Sequence, residues 1–439
     1  FIRSLFITLF NMEKTVSWGN FPKRSVKIEE FNPTKFHIKN NSIPYGNGRS
    51  YGDSCISDNL ISLKSFNKII NYDKENGEII VEAGILVKEI LKVIIKDGWF
   101  LPVVAGTKLI TVGGAIASDV HGKNHHLEGC FSQYVKFFKL MLPDGKILKC
   151  SKEDNYEFFL ATSGGMGLTG IITEAKIKLK KINSSIVRQT TIKTKNLEET
   201  FNVFDSISNE PYSVAWIDCL SNNKDIGRAL ITYGEFLESG NLSYNPKRRI
   251  NIPFYFPSFL LNKLTVKIFN WFYYNRIRFK ESTKLVDFDS FFFPLDKIKN
   301  WNRIYGRKGF LQYQFILPKN SSYIGLYRIL EKISDAGKGS FLAVLKLHGI
   351  ENSNYLSFPI EGYSLALDFK IEEGIFELLN QLDKIVVESN GRIYLTKDSR
   401  VSKEVFERGY PKINLFRDLR KKYKLTKVLA SSQSKRIEI

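Results

Sequence analysis

Between Val104 and His126 the chain reads VAGTKLITVGGAIASDVHGKNHH, and the residue types there bound the chemistry open to it. Gly106, Gly113, Gly114, Ala115, Ala117, Ser118 and Gly122 crowd into the run, and side chains this small bury little apolar area. They offer instead a backbone that another surface can approach closely, with its N–H groups turned outward. The run ends on His121, Lys123, Asn124, His125 and His126, which hold three of the five histidines in the chain. A close-approach backbone feeding a cluster of polar heads suits a large, flat, phosphorylated ligand. The plainer reading is a glycine-rich turn with solvated histidines.

Two further glycine-rich segments bear on that choice. In PYGNGRSYGD (44–53), Gly46, Gly48 and Gly52 permit positive φ and expose consecutive amides, while Arg49 adds a fixed cation. That combination suits a pyrophosphate. The spacing is not GxGxxG followed by a helix, which excludes a Rossmann site. In TSGGMGLTGII (162–172), Gly164, Gly165, Gly167 and Gly170 lead into a strand alternating Ile171, Thr173, Ala175, Ile177 and Leu179. Three such loops within residues 44–172, each beside a strand, are not chance turns.

The elements that must position these loops follow from periodicity. GEIIVEAG (77–84) alternates as a strand, and a helix is expected from Ile85 to Asp97, with Val87, Ile90, Leu91 and Ile94 on one face and Gly98 as its stop. QYVKFFKLML and KILKCS flank the PDG turn at 143–145 as a hairpin. Near residue 185 glycine thins and aromatics rise, which marks a domain boundary. Beyond it YSVAWIDC, GRALITYGEF, KGFLQYQFILP, GSFLAVLKLHG and EGYSLALDFKI read as strands of an antiparallel sheet. NSSYIGLYRILEKISDAG and IEEGIFELLNQLDKIVVESNG read as helices between them. The basic C-terminal stretch, with Tyr410 and Pro411, is expected to pack back on the first domain.

Composition sets the outer limits. A profile of 43% hydrophobic and 25% charged residues is globular and excludes wholesale disorder. Cys55, Cys130, Cys150 and Cys219 form no CxxC pair and no metal-ligand spacing, so a reducing compartment is expected and no metal site. A net charge of +20 calls for an acidic partner. The apolar residues before Met12 are too few to span a bilayer, and 1–11 are read as upstream read-through or a membrane-touching tail. In residues 246–280, aromatics interleave with Lys247, Arg248, Arg249, Lys263, Lys267, Arg276, Arg278 and Lys280, and no acidic residue occurs before Glu281. This suits insertion at an anionic lipid headgroup boundary. The plainer reading is a core helix with basic flanks, and no recognisable nucleic-acid module accompanies it.

GNGRSYGD, GWFLPVVAGTKLITVGGAIASDVHGKNHH, TSGGMGLTGII, SVAWID, FLQYQF, LKLHG and YLTKDSR span residues 44–400. With these segments the chain resembles the FAD-dependent oxidases of the vanillyl-alcohol oxidase type, and among them the decaprenylphosphoryl-ribose 2-oxidase branch. The HGKNHH segment is specific to that resemblance rather than generic to flavoproteins. The resemblance implies an α+β, two-domain flavoprotein. An FAD-binding domain would take residues 12–186 and 391–439. A substrate domain over 187–390 would carry the antiparallel sheet and flanking helices.

It also implies site residues. Gly48, Arg49, Ser50, Tyr51 and Gly52 would hold the FAD pyrophosphate and ribose. Gly106, Thr107, Gly113, Gly114, Ala117, Ser118 and Gly122 would line the flavin, with Gly170 and Ile172 near it and His121 and Lys123 beside its ring. FAD would be held noncovalently, although related oxidases attach it through His or Cys, which draws attention to Cys130 and the histidines. Trp216, Gln314, Lys346 and Lys397 would meet the substrate, and Lys397, His121, Lys346 and Gln314 would form the catalytic set. Each has a plain alternative: Trp216 as core, Gln314 at a sheet edge, either lysine as a surface charge. Lys346 sits in an apolar strand, with Leu345 and Leu347 on the opposite face, and an isolated buried ammonium needs an anionic partner. Ala366 departs from the best-known mycobacterial members, which carry cysteine there, so an inhibitor that reacts with that thiol should not bond covalently here.

The implied reaction oxidises the 2′-hydroxyl of a polyprenyl-phosphoryl pentose to the ketone, with His121 or an assisted water as base and hydride passing to the flavin. A separate NADH-dependent keto-reductase would complete epimerisation to the arabinose form. Peripheral membrane association follows, on the cytoplasmic side in preference to the periplasmic. An oxidase of a soluble sugar, alditol or aldonolactone, and a basic binding protein without redox chemistry, are the alternatives.

Overall fold

Alternation in the second half of the chain is realised as one eight-stranded antiparallel sheet. The computed structural model describes residues 12–14, 17–33, 38–244, 246 and 249–439. The tail 1–11 and the basic pair Lys247 and Arg248 lie outside these residues. In spatial order the sheet runs Glu281–Asp287, Ile186–Thr194, Ala229–Phe236, Tyr212–Ile217, Ala343–His348, Gly362–Lys370, Phe310–Pro318 and Arg392–Ile393. Five of these strands are the ones expected from alternation. The two outermost strands, and Ile186–Thr194 beside one of them, are additional.

The register gives the sheet two chemically different faces, because residues directly opposite one another share a face. One face carries Tyr313, Phe315, Leu365, Leu367, Ala343 and Leu345. It is covered by the helices Lys319–Ala336 and Ile375–Glu388, which bury Leu326, Ile329, Leu330 and Ile333, and Leu378, Leu379, Leu382 and Val386. Tyr313 donates its hydroxyl to Asp383 on the second helix at 2.9 Å. The other face is polar and is taken up below.

The N-terminal half builds two smaller sheets. Ser25–Glu30, Asn59–Ser62 and Ser42–Tyr45 pair in parallel, with Met12–Lys14 antiparallel at one edge. Ile69–Asp73, Glu78–Glu82, Ile171–Lys178, Val135–Met141 and Ile147–Cys150 form an antiparallel five-stranded sheet. The expected helix starts at Val87, two residues later than periodicity suggested, because Leu86 is extended and bridges Thr111. It buries Val87, Ile90, Leu91 and Ile94, tightens into a 3₁₀ turn and stops at Gly98, whose φ of 77° suits glycine.

The segment after Gly391 contributes Arg392–Ile393 to the large sheet and then returns to the N-terminal half. Ser42 donates its amide to Val428 O at 2.8 Å, and Ala430 donates back to Ser42 O at 3.0 Å. Arg420 is fully buried and donates to the carbonyls of Leu168 and Leu429. Arg436 binds Asp53 through Nε (3.1 Å) and Nη2 (2.8 Å) and reaches Asp398 at 2.7 Å. Burial raises Asp53, whereas for Asp398 burial is outweighed by Arg436 and by the amides of Arg400 and Val401, which hold it below the usual carboxylate value. Removing the cation leaves two buried carboxylates close together. Arg436→Met is therefore expected to cost about 3 kcal/mol, read as a lower thermal unfolding midpoint, with Arg436→Lys recovering part of the loss.

Candidate functional site

The loop 46–52 presents donors with no internal use. Among the described residues the amides of Asn47, Gly48, Arg49 and Ser50 donate to no protein group. Four anchors hold the loop: Asn47 Nδ2 to Leu109 O (2.7 Å), Trp18 N to Ser50 O (2.8 Å), Gly19 N to Tyr51 O (3.1 Å) and Tyr51 N to Thr396 O (3.0 Å). A Cβ on Gly52 would stand 1.7 Å from Asp398 O, so only glycine allows this packing. The Arg49 guanidinium lies 4.1 Å from the Trp18 ring centroid, and its buried Nε has no partner.

The anchor at Leu109 brings in the second loop. The amides of Gly106 and Thr107 are likewise unused among the described residues, and a Cβ on Gly106 would meet nothing within 4 Å. Thr107 Oγ1 is committed to Asp296 (2.7 Å), which also accepts the Lys108 amide (2.9 Å). Lys108 itself forms a buried ion pair with Asp289. Thr111 caps the short helix Val112–Ala117, where Gly114 is exposed and Ala117 and Ser118 are half-buried. The third loop packs beneath: Gly164 donates to Ile116 O (3.0 Å) and Met166 to Ala117 O (2.9 Å).

Packing alone accounts for four of the anticipated positions. Gly113 rests on Ala83 and donates to its carbonyl at 2.7 Å. Added Cβ atoms would press Gly122 onto Asn124 and Val104, and Gly170 onto Leu140 and Met141. Ile172 is a core side chain.

The polar face of the large sheet faces these loops. Register places Trp216 opposite Val344, Val344 opposite Ala366 and Ala366 opposite Gln314, so all share one face with Lys346, Ser364, Gln312 and Asp368. Gln314 meets His121 at 3.2 Å between their Nε2 atoms, joining sheet to loop. His121 also packs against His348, Phe358 and Tyr394 at ring separations of 5.0, 5.4 and 5.1 Å. Tyr394 donates its hydroxyl to Ser118 O at 3.0 Å. Three residues on, Lys397 Nζ lies 3.7 Å from the Tyr51 ring centroid. Lys123 donates to Phe291 O at 2.5 Å and lies 4.2 Å from the Phe291 ring centroid. Trp216 donates to Phe341 O (2.9 Å) and packs on Tyr273 (4.7 Å).

The electrostatics of this cleft are unusual. Burial pushes Lys346 down to about 8. Burial and then the charge of Lys346 take Lys123 to about 7; burial takes Lys397 to about 7 against the opposing charge of Asp368, with Lys346 adding to the fall. Burial, with the lysine charges added, carries His121 and His348 well below the ordinary imidazole value, and burial with His126 and Lys346 takes His125 to about 3. The imidazoles are neutral, and the described ion pairs include none to Lys123, Lys346 or Lys397. A buried thiol pushed far up makes Cys130 a poor nucleophile.

Free amides on two touching loops, a half-buried arginine with an orphaned Nε and three amines that form no described ion pair fit FAD. The loops suit its phosphates, and the amines suit the negative charge its ring gains on reduction. Sequence reasoning missed Asp368, Tyr305, Tyr394 and His348 as site components. Alternation in GYSLALDFK does put Asp368 on the face of Ala366, but only pairing to Gln314 shows which face that is.

Comparison with known proteins agrees with this reading. Residues 39–151 match the family described as FAD binding domain. The chain is 34% identical over 411 residues to decaprenylphosphoryl-β-D-ribose oxidase of Mycolicibacterium smegmatis, covering 90% of this chain and 89% of that protein. The chain belongs to the decaprenylphosphoryl-ribose oxidase family. It is an FAD-dependent oxidoreductase. An uncharacterised Streptomyces coelicolor protein is 25% identical over 368 residues, 80% of this chain and all of its own length. Mouse L-gulonolactone oxidase is 33% identical over only 130 residues, 29% of each chain, so that similarity is confined to part of the molecule.

The neutral histidines have a pH consequence. Their folded values lie below the unfolded value of about 6.5, so the unfolded chain binds protons first and stability falls as pH drops below about 6.5. His125→Asn should flatten this dependence, seen as a smaller difference in denaturant midpoint between neutral and mildly acid pH.

Proposed function

We propose that the chain oxidises the 2′-hydroxyl of a polyprenyl-phosphoryl ribose to the 2′-keto form, the first half of an epimerisation to arabinose. The observation that carries this is the juxtaposition of unused loop amides with three half-buried amines, Lys346 on the site face of the sheet and Lys123 and Lys397 on loops beside it. FAD, held noncovalently by the loop amides and Arg49, would accept the hydride that leaves the carbinol carbon, two electrons with one proton. Lys397 and Lys346 supply positive charge in the cleft, for the reduced cofactor and for a phosphate-bearing substrate. The Gln314 amide orients the His121 ring through its Nε2; exchanging that bond for one to the substrate hydroxyl, or to a water, would let the neutral imidazole take the proton. Trp216, pinned by Phe341 and Tyr273, walls the sugar subsite.

The lipid part of the substrate is supported by the segment 249–280. Its helix Lys263–Asn275 docks through Val266, Asn270, Tyr273 and Tyr274, with Asn270 Nδ2 donating to Asp218 (2.6 Å) and Tyr274 to Thr194 O (2.9 Å). The opposite side is not core: Leu264, Ile268, Trp271 and Phe272 are exposed, as are Phe254, Phe259 and Phe279 nearby. Exposed Lys263, Lys267, Arg276, Arg278 and Lys280 flank them. An aromatic and basic surface of this kind suits an anionic bilayer. No described helix is long and apolar enough to cross one. Peripheral association on the cytoplasmic face, where four free cysteines would stay reduced, places the prenyl tail in the membrane while Tyr273 leads to Trp216. An NADH-dependent keto-reductase then consumes the keto product.

The purified protein is expected to be yellow, to turn over the prenylated sugar and to leave the free sugar nearly untouched. Comparable turnover of both would favour a soluble-sugar oxidase. Lys397→Ala should lower kcat/KM by at least tenfold, since a lost charged contact costs about 1.5–3 kcal/mol, and a drop under threefold would exclude a direct role. In flotation with phosphatidylglycerol vesicles, Trp271→Glu with Phe272→Glu should reduce binding at least tenfold while leaving the flavin spectrum unchanged.

A further inference from the structure

Among the described residues, the ionisable side chains on the strands Phe310–Pro318, Ala343–His348 and Gly362–Lys370 that share the face of Gln314 are basic, with one exception. Lys123, Lys346, Lys397, His121, His125, His348 and Tyr51 line the cleft, and Asp368 is the sole carboxylate among the described residues on that part of the sheet. It is 1% exposed. Gln312 Nε2 donates to one of its oxygens at 2.6 Å and Tyr305 OH to the other at 3.1 Å. The Lys397 ammonium lies over the Tyr51 ring, 3.7 Å from the centroid. Tyr305 is fixed by stacking on Phe310 (4.2 Å), which in turn packs edge-on to Tyr51 (5.5 Å). The carboxylate is thus held on the polar side of a cage whose other occupant is Lys397.

We infer that Asp368 is a positioning residue for Lys397, the buried counter-charge that keeps that side chain an ammonium in the cleft and so sets the upper pH limit of the reaction. This rests on the reading of Lys397 given above. The physical case is a balance. Burial and the neighbouring Lys346 both drive the proton off Lys397, and the groups facing it, Tyr51, His121 and Asp368, include one negative charge to oppose that. Burial equally disfavours the carboxylate, and Gln312, Lys397 and Tyr305 together oppose the rise. Each member of the pair favours the charged form of the other. The sign follows: deleting the carboxylate makes Lys397 lose its proton at lower pH.

The test is a pH titration of the absorption spectrum of flavin-loaded enzyme without substrate, with the kcat profile recorded alongside. Wild type should show a spectral transition near neutrality that Lys397→Met abolishes. Asp368→Asn should move that transition, and the alkaline limb of kcat, down by about one pH unit, and Asp368→Glu should restore it. A transition that is lost in Lys397→Met yet unmoved in Asp368→Asn overturns the inference and leaves the site reading intact. The absence of any Lys397-dependent transition in wild type overturns both. Should Asp368→Asn lose its flavin, Tyr305→Phe serves instead. It keeps the carboxyl but removes a bond to its charged form, so a smaller shift in the same direction is expected, and no shift overturns the inference.

Discussion

Desolvated positive charge is the constraint around which this molecule is arranged. Three lysines share one buried cleft with neutral imidazoles and a single carboxylate, an arrangement that costs folding free energy and that a purely structural core would have discarded. It is sustained because the opposing wall is backbone, whose unused amides and dipoles also call for negative charge. A reduced flavin and a sugar phosphate answer both demands at once. The same desolvation makes each charge worth more there than in water.

The large sheet makes this possible by separating its two duties. The face under the long helices carries the apolar packing that holds the strands in register. The other face is released from core duty and can carry glutamine, lysine, histidine and aspartate in a row. Rigid strands hold such groups more accurately than loops do. The histidines rest neutral, since a standing charge on them would add to a repulsion already present.

The segment between Arg249 and Tyr305 ties the outer surface to the cofactor wall. Its exposed helix faces outward with aromatic and basic side chains, while further along Asp289 and Asp296 grip the loop 106–108 of the N-terminal half. A surface of exposed aromatic and basic side chains and the two carboxylates that brace the loop 106–108 are therefore carried on one continuous stretch of chain.

Residue types and spacing alone made the three glycine loops, the amphipathic helices, five strands of the large sheet and the outlying aromatic and basic segment legible, because each is a local pattern. Resemblance supplied Trp216, Gln314, Lys346 and Lys397, and the register does bring the first three to one face. Only tertiary structure distinguished Gly52, which packing on Asp398 requires, and Gly170, which packing on Leu140 requires, from Gly106, which borders open space. Only it revealed that Thr107 serves Asp296, and that Asp368 shares a cage with Lys397. Periodicity reports which side of a strand a residue occupies, whereas what lies across from that side depends on contacts closed over hundreds of residues, and those the linear pattern does not encode.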